Sequence, residues 1–163
     1  MNNFDHIYKH NYPKLYRVAI KMLLHHDEAK DILQEVFMYY YQKTNSGYKI
    51  EYPTSWLYRA TLNKCMDLNK CNQKTVSIED HENNKSMLDE NLAERSFQEQ
   101  VIQKALSALC DSEKELAILY SEGLSYKEMA EITGIKYSSI GKTLSRTLKK
   151  LNGILKKMKY EMY

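Results

Sequence analysis

The chain has 163 residues, enough for one domain or two small helical ones. Five glycines and two prolines are few, which suits long helices and disfavours β architecture. The net charge is only +3, no apolar run is long enough to cross a bilayer, and the amino terminus lacks a secretory pattern, so a cytoplasmic protein without membrane insertion is expected. Cys65, Cys71 and Cys110 sit at no metal-ligand spacing and read as reduced, small apolar residues. His6 and His10 are four apart, but no Cys, His or acidic cluster accompanies them, and they read as surface histidines. Neither a metal nor another cofactor is expected.

In chain order, Leu15 to Leu24 forms one amphipathic helix. Asp27 caps the next, whose apolar residues Ala29, Ile32, Leu33, Val36, Phe37 and Tyr40 follow a helical period. Asp27, Asp31, Gln34 and Met38 fall on its other side, with Glu35 at the edge. An acidic, amide-bearing face in an otherwise basic block is unsuited to DNA and suits a protein partner. After a loop from Ser46 to Pro53, a third helix runs from about Thr54 to Cys71 and places Trp56, Arg59, Asn63 and Lys70 on one side, in a region enriched by Tyr48, Tyr52 and Tyr58. Rings stack on bases, cations hold phosphates and an amide reads an exposed base edge, so this side suits single-stranded DNA. Trp56 fits a core position equally well, since an aromatic can pack and still present an edge.

Residues 73–95 are polar, hold six acidic against three basic residues and keep no sustained period, and so read as an acidic linker. Phe97, Val101, Ile102, Ala105, Leu106 and Leu109 then line one helix face. Asp111 or Ser112, with Glu115, starts a further helix holding Leu116, Ala117, Leu119 and Tyr120, which Gly123 ends. Ser125 and Glu128 have the spacing of a capping box, Met129, Ala130 and Ile132 give the short helix after it an apolar side, and Thr133-Gly134 stops it. The last helix starts near Tyr137, with Ile140, Leu144, Thr147, Leu148 and Leu151 on one face. Ser138, Ser139, Gly141, Lys142, Ser145, Arg146 and Lys149 lie towards the other. A short helix, a tight glycine turn and a helix with one greasy and one basic, hydroxyl-rich side make a helix-turn-helix suited to the DNA major groove. Gly134 to Tyr160 carries eight basic residues and no acidic one, the electrostatic footprint of a polyanion partner.

Together these segments resemble the extracytoplasmic-function sigma factors of the sigma-70 family. The stretches L-Y-R-V-A-I-K-M-L-L, D-E-A-K-D-I-L-Q-E-V-F and S-W-L-Y-R-A-T-L-N-K-C-M-D-L look like that family's promoter-melting domain, and the stretch from Ser121 to Leu151 looks like its −35-binding domain. The resemblance covers about residues 4–72 and 96–152. It implies an all-α protein of two small helical domains, 1–72 and 96–163, joined by the acidic linker 73–95. It also implies that the chain is no enzyme, and that it binds core RNA polymerase and promoter DNA, with an anti-sigma factor as a further candidate partner. Asp31, Gln34 and Glu35 match the positions that dock on polymerase. Tyr48 and its loop neighbours, with Asn63, match the pocket for a flipped base of the −10 element, and Gly141, Lys142, Ser145 and Arg146 match the positions facing the −35 groove. The linker would thread towards the polymerase active site and RNA exit path.

Departures from the family pattern bear on affinity. Gly141 stands where a basic residue is common, Thr143 replaces a frequent arginine and Lys136 a capping serine, and the end of the third helix is less basic than usual. Each missing cation removes a phosphate contact and its counterion release, so weak intrinsic DNA affinity is expected. Two other readings stay open on the residues alone: a helix-turn-helix regulator that uses residues 1–72 to dimerise, and a polymerase-binding adaptor that no longer reads promoters.

Overall fold

The computed structural model describes residues 3–76 and 97–160. Among them every regular element is a helix: α1 (Asn3–Leu23), α2 (His26–Asn45), α3 (Pro53–Val76), α4 (Phe97–Ser107), α5 (Asp111–Ser121), α6 (Tyr126–Thr133) and α7 (Tyr137–Tyr160). The all-α architecture is the one expected. Helices α1–α3 pack on one another, and α4, α5 and α6 pack on α7. The two bundles also touch, α5 against α1 and α6 against α3.

The periodic apolar residues make the core. Every one expected on α2 is buried, as are Leu15, Val18, Ala19 and Met22 of α1 and Leu57, Leu62 and Cys65 of α3. In the second bundle Leu116, Ile118, Leu119, Met129, Ile132, Ile140 and Leu144 are buried, and the apolar cluster runs without a break from one bundle into the other. Each fully buried side chain of this size contributes about 1.5–3 kcal/mol.

Several boundaries differ from the sequence reading. Helix α1 begins twelve residues before Leu15 and runs through Pro13. The turns ahead of the proline are held by packing, with Phe4, Tyr8 and Tyr12 set against Phe37 at centroid distances of 6.5, 4.7 and 6.1 Å. Tertiary contact of this kind outweighs the backbone hydrogen bond that proline lacks. The cap of α2 is His25 rather than Asp27: its backbone is extended and its Nδ1 accepts the Glu28 N–H at 3.2 Å. Asp27 lies in the first turn, where its charge still favours the helix dipole. Helix α3 continues past Cys71 to Val76, because nothing at 72–76 breaks it, so the first residues assigned to the linker are helical; 77–96 lie outside the described residues. Helix α5 starts after Cys110, whose N–H donates to Glu113 at 3.1 Å, which leaves Glu115 free to face α3. Cys65 is buried, but Cys71 and Cys110 are exposed and do not serve as core residues. Ile102 and Tyr120 are exposed where the periodicity placed them on apolar faces.

Candidate nucleic-acid interface

The helix-turn-helix forms as its residues dictate. Ser125 Oγ accepts the Glu128 N–H at 3.2 Å while Glu128 accepts the Ser125 N–H at 2.7 Å. Gly134 ends α6 in the left-handed conformation, φ +77°, its N–H bonded to Ala130 O at 3.0 Å. Ile140, Leu144 and Thr147 bury one face of α7. Ser138, Ser139, Lys142, Ser145, Arg146 and Lys149 are exposed on the rest of the helix, and Gly141 is half-buried. A side chain at Gly141 would meet the Tyr126 ring at 3.4 Å. Tyr126, Tyr120, Gly141, Ser145 and Lys149 border a common cleft, an aromatic flank to this exposed face that periodicity did not reveal.

On the other bundle, Tyr48, Trp56 and Arg59 line a cleft of about 490 Å³ together with Lys49, Tyr52 and Ser55. Asn63 and Lys70 are exposed on the same side of α3 but lie beyond this lining. Trp56 does both things its type allows: half-buried, it packs on Tyr40 at 5.7 Å and stacks on exposed Tyr39 at 5.8 Å. Tyr58 does not join the cleft. It is buried, and burial pushes its phenol up to about 12.

Asp31, Gln34 and Glu35 are all exposed on α2. Glu35 bridges Lys64 of α3 at 2.8 Å, with both side chains more than half exposed, so the pair is screened and easily released. Among the described residues no three His, Cys, Asp or Glu side chains gather as a metal site would need, and no helix is long and apolar enough to cross a membrane.

The seam between the bundles is polar as well as apolar. Glu122, its side chain 5% exposed, accepts from Arg17 Nε at 2.9 Å and Lys21 Nζ at 2.7 Å. Burial opposes the charge on Glu122, but the hydrogen bonds from Lys21 and Arg17 outweigh it and hold the carboxyl below its ordinary value. Lys114 of α5 reaches the end of α1 and donates to Met22 O at 3.0 Å, where Asn69 of α3 also donates at 3.2 Å. A cation at a helix carboxyl end satisfies a carbonyl that lacks an intrahelical partner and meets the favourable end of the dipole. Ser55 donates to Glu131 of α6 at 3.2 Å, which places an acidic side chain of the helix-turn-helix in the lining of the aromatic cleft. The Gly134 turn approaches Arg59 so closely that an added methyl would lie 3.3 Å from its guanidinium. Burial raises the Glu115 carboxyl to about 7 against the pull of Arg59. None of these pairs was legible in the sequence, because their members lie up to 105 residues apart.

Residues 7–75 match the family model described as Sigma-70 region 2, and residues 99–151 the one described as Sigma-70, region 4. The chain is 27% identical over 159 residues to ECF RNA polymerase sigma factor SigM of Bacillus subtilis (strain 168), covering 92% of this chain and 93% of that protein. Its fold is similar to that of the sigma factor RpoE from Bartonella quintana, solved in complex with the anti-sigma factor NepR: the TM-score is 0.70 at 23% identity, over 96% of this chain and 98% of that one. The two matched regions, in this order and covering most of the chain, place it in the class of sigma-70-type transcription initiation factors. Within that class the chain belongs to the extracytoplasmic-function sigma factors, the alternative sigma factors whose partners are core RNA polymerase and promoter DNA.

Proposed function

We propose that the three tasks of such a factor fall on three surfaces of this chain. Asp31, Gln34 and Glu35 dock on core polymerase. Tyr48, Trp56, Arg59, Asn63 and Lys70 hold the melted −10 strand. Ser138, Ser139, Gly141, Lys142, Ser145, Arg146 and Lys149 face the −35 element in the major groove. The functional domains are residues 1–72 and 96–163, with 73–95 as the connecting acidic segment. The factor acts in the cytoplasm by binding rather than by catalysis, and an anti-sigma factor is a further partner.

What supports the base-capture assignment is the cleft that gathers Tyr48, Trp56 and Arg59. Two rings beside a cation match what an unpaired base and its phosphate require, and stacking is worth on the order of 1–3 kcal/mol per base. Promoter-directed transcription with core enzyme tests the reading. Tyr48→Ala and Asn63→Ala should each reduce open-complex formation on duplex promoter much more than on a template mismatched over the −10 region. Equal losses on the two templates would show that these residues do not capture a base.

A further inference from the structure

We propose that Lys43 is the positioning residue of the −10 cleft: its ammonium holds Tyr48 in a platform, preformed with Tyr39 and Trp56, on which an unpaired nucleobase stacks. The inference rests on the base-capture reading above. The Ser46 N–H bonds Gln42 O at 3.1 Å, the Gly47 N–H bonds Thr44 O at 3.3 Å, and the Tyr48 N–H reaches back five residues to Lys43 O at 3.2 Å. Gly47 is left-handed, φ +87°. This is the Schellman ending, in which the residue after the left-handed one packs on the third residue from the helix end, usually through an apolar contact. The end of α5 shows the usual form: the Leu124 N–H bonds Leu119 O at 3.4 Å, and Leu124 packs against the apolar core that holds Leu119. At the end of α2 the corresponding pair is Tyr48 and Lys43.

A cation over a ring takes the place of the apolar contact. Lys43 Nζ lies 4.5 Å from the Tyr48 centroid, 5.4 Å from Tyr39 and 5.9 Å from Trp56. Tyr39 sits one turn earlier on α2 and stacks on Trp56 with an interplanar angle of 29°. One ammonium therefore ties together rings from α2, the loop after it and α3, and Lys43 enters none of the ion pairs among the described residues. Tyr48 and Tyr39 are both more than half exposed. An exposed ring that must be ordered as a ligand arrives loses side-chain freedom at that moment, and holding it beforehand removes the loss. Because Tyr48 and Trp56 also line the cleft, the rings that Lys43 holds are the ones a base would meet.

A positioning lysine and a phosphate-binding lysine give different readouts. The probe is a non-template-strand oligonucleotide spanning the −10 element of a promoter that the holoenzyme transcribes, with the same oligonucleotide made abasic over that element as control. Both are titrated against holoenzyme at several salt concentrations. Lys43→Gln should weaken the intact probe about three- to tenfold, and Lys43→Arg, which keeps a cation over the ring, should restore it. The salt slope should stay unchanged, and the abasic probe should not distinguish Lys43→Gln from the parent. In the double variant with Tyr48→Leu, Lys43→Gln should add no further loss, since it acts through that ring. Gly47→Ala gives a second route to the same state. Its methyl meets nothing within 4 Å, so its effect is confined to the strained turn that aims Tyr48, and it should reproduce the loss without altering charge. A salt slope lowered by about 0.7, the value of one single-strand phosphate contact, would overturn the proposal, as would a failed arginine rescue or additive losses in the double variant. If the parent holoenzyme bound intact and abasic probes equally, base capture itself would fall. If it kept that discrimination while Lys43→Gln changed nothing, the positioning role alone would fall.

Discussion

The seam at Glu122 gives a quantitative test of how the two bundles are held together. Its carboxylate is nearly buried and accepts hydrogen bonds from Arg17 and Lys21, whose own side chains are 54% and 36% exposed. A hydrogen bond to a charged group contributes roughly 1.5–3 kcal/mol net. The exposure of both cations brings each contact towards the screened limit of about 1 kcal/mol or less. Glu122→Gln keeps the shape, removes the charge and also relieves the desolvation of the carboxylate, so docking should weaken by about 1–2 kcal/mol, roughly five- to thirtyfold in the ratio of docked to undocked chains. Cys71 and Cys110 are exposed, one in each bundle, whereas burial pushes the Cys65 thiol up to about 12 and leaves it unreactive. Dyes on the two exposed thiols should report lower energy transfer in Glu122→Gln. Added salt should lower transfer in the parent more than in the variant. Unchanged transfer in a variant that unfolds at the parent's temperature would refute the assignment of this ion pair as a latch.

Glu115 makes docking depend on pH. Burial raises its carboxyl from 4.5 to about 7, so the docked state binds the proton more tightly than the undocked one. Protonation therefore favours docking, a contribution fully present below about pH 4.5 and lost as pH rises to about 7. Energy transfer between Cys71 and Cys110 should fall from about pH 4.5 to about pH 7 and level off above, and Glu115→Gln should abolish the dependence. Charge reversal at Asp31 and Glu35 together should abolish capture of core polymerase, because like charges brought into an interface cost several kcal/mol. Thermal stability should stay within about 1 kcal/mol of the parent, since the ion pair lost among the described residues is the exposed bridge to Lys64; an unchanged pull-down would rule out this face. Arg146→Ala should cost about 1–3 kcal/mol at the cognate −35 element and relax one base preference. Lys142→Ala should weaken all sequences alike and lower the salt slope by about one. Titrations over a −35 substitution panel separate the two, and a uniform loss for Arg146→Ala would make it a phosphate clamp.

Local rules were the readable part of this chain. The α2 stripe, the Ser125–Glu128 box and the Gly134 turn each depend on residues within a turn or two of one another, and each lies where spacing placed it. Where local rules competed with packing, they misplaced boundaries. The apolar stripe marked α1 only from Leu15, but the rings packed on Phe37 keep the earlier turns helical. Tyr58 scanned as one more aromatic of the binding region because nothing near it in sequence says that a second bundle covers it. Arg17, Lys21 and Glu122 are ordinary surface charges until the bundles meet. Nothing local marks Lys43, and only the Schellman turn after it brings Tyr48 under its ammonium.

Docking does not bear equally on the two promoter elements. The exposed residues of α7 stay open with the bundles together, whereas Glu131 then stands in the −10 cleft, hydrogen-bonded to Ser55. On the base-capture reading proposed above, a carboxylate there repels a phosphate chain, so docking should disfavour the single strand. On that reading, the apparent dissociation constant for the strand should approach the intrinsic one divided by the undocked fraction, while the −35 duplex should escape the same effect. Affinity for the −10 strand in the unbound factor would then be set partly by a conformational equilibrium, over and above its complement of cations. Whatever holds the bundles apart tightens −10 binding by the same factor by which the strand favours their separation.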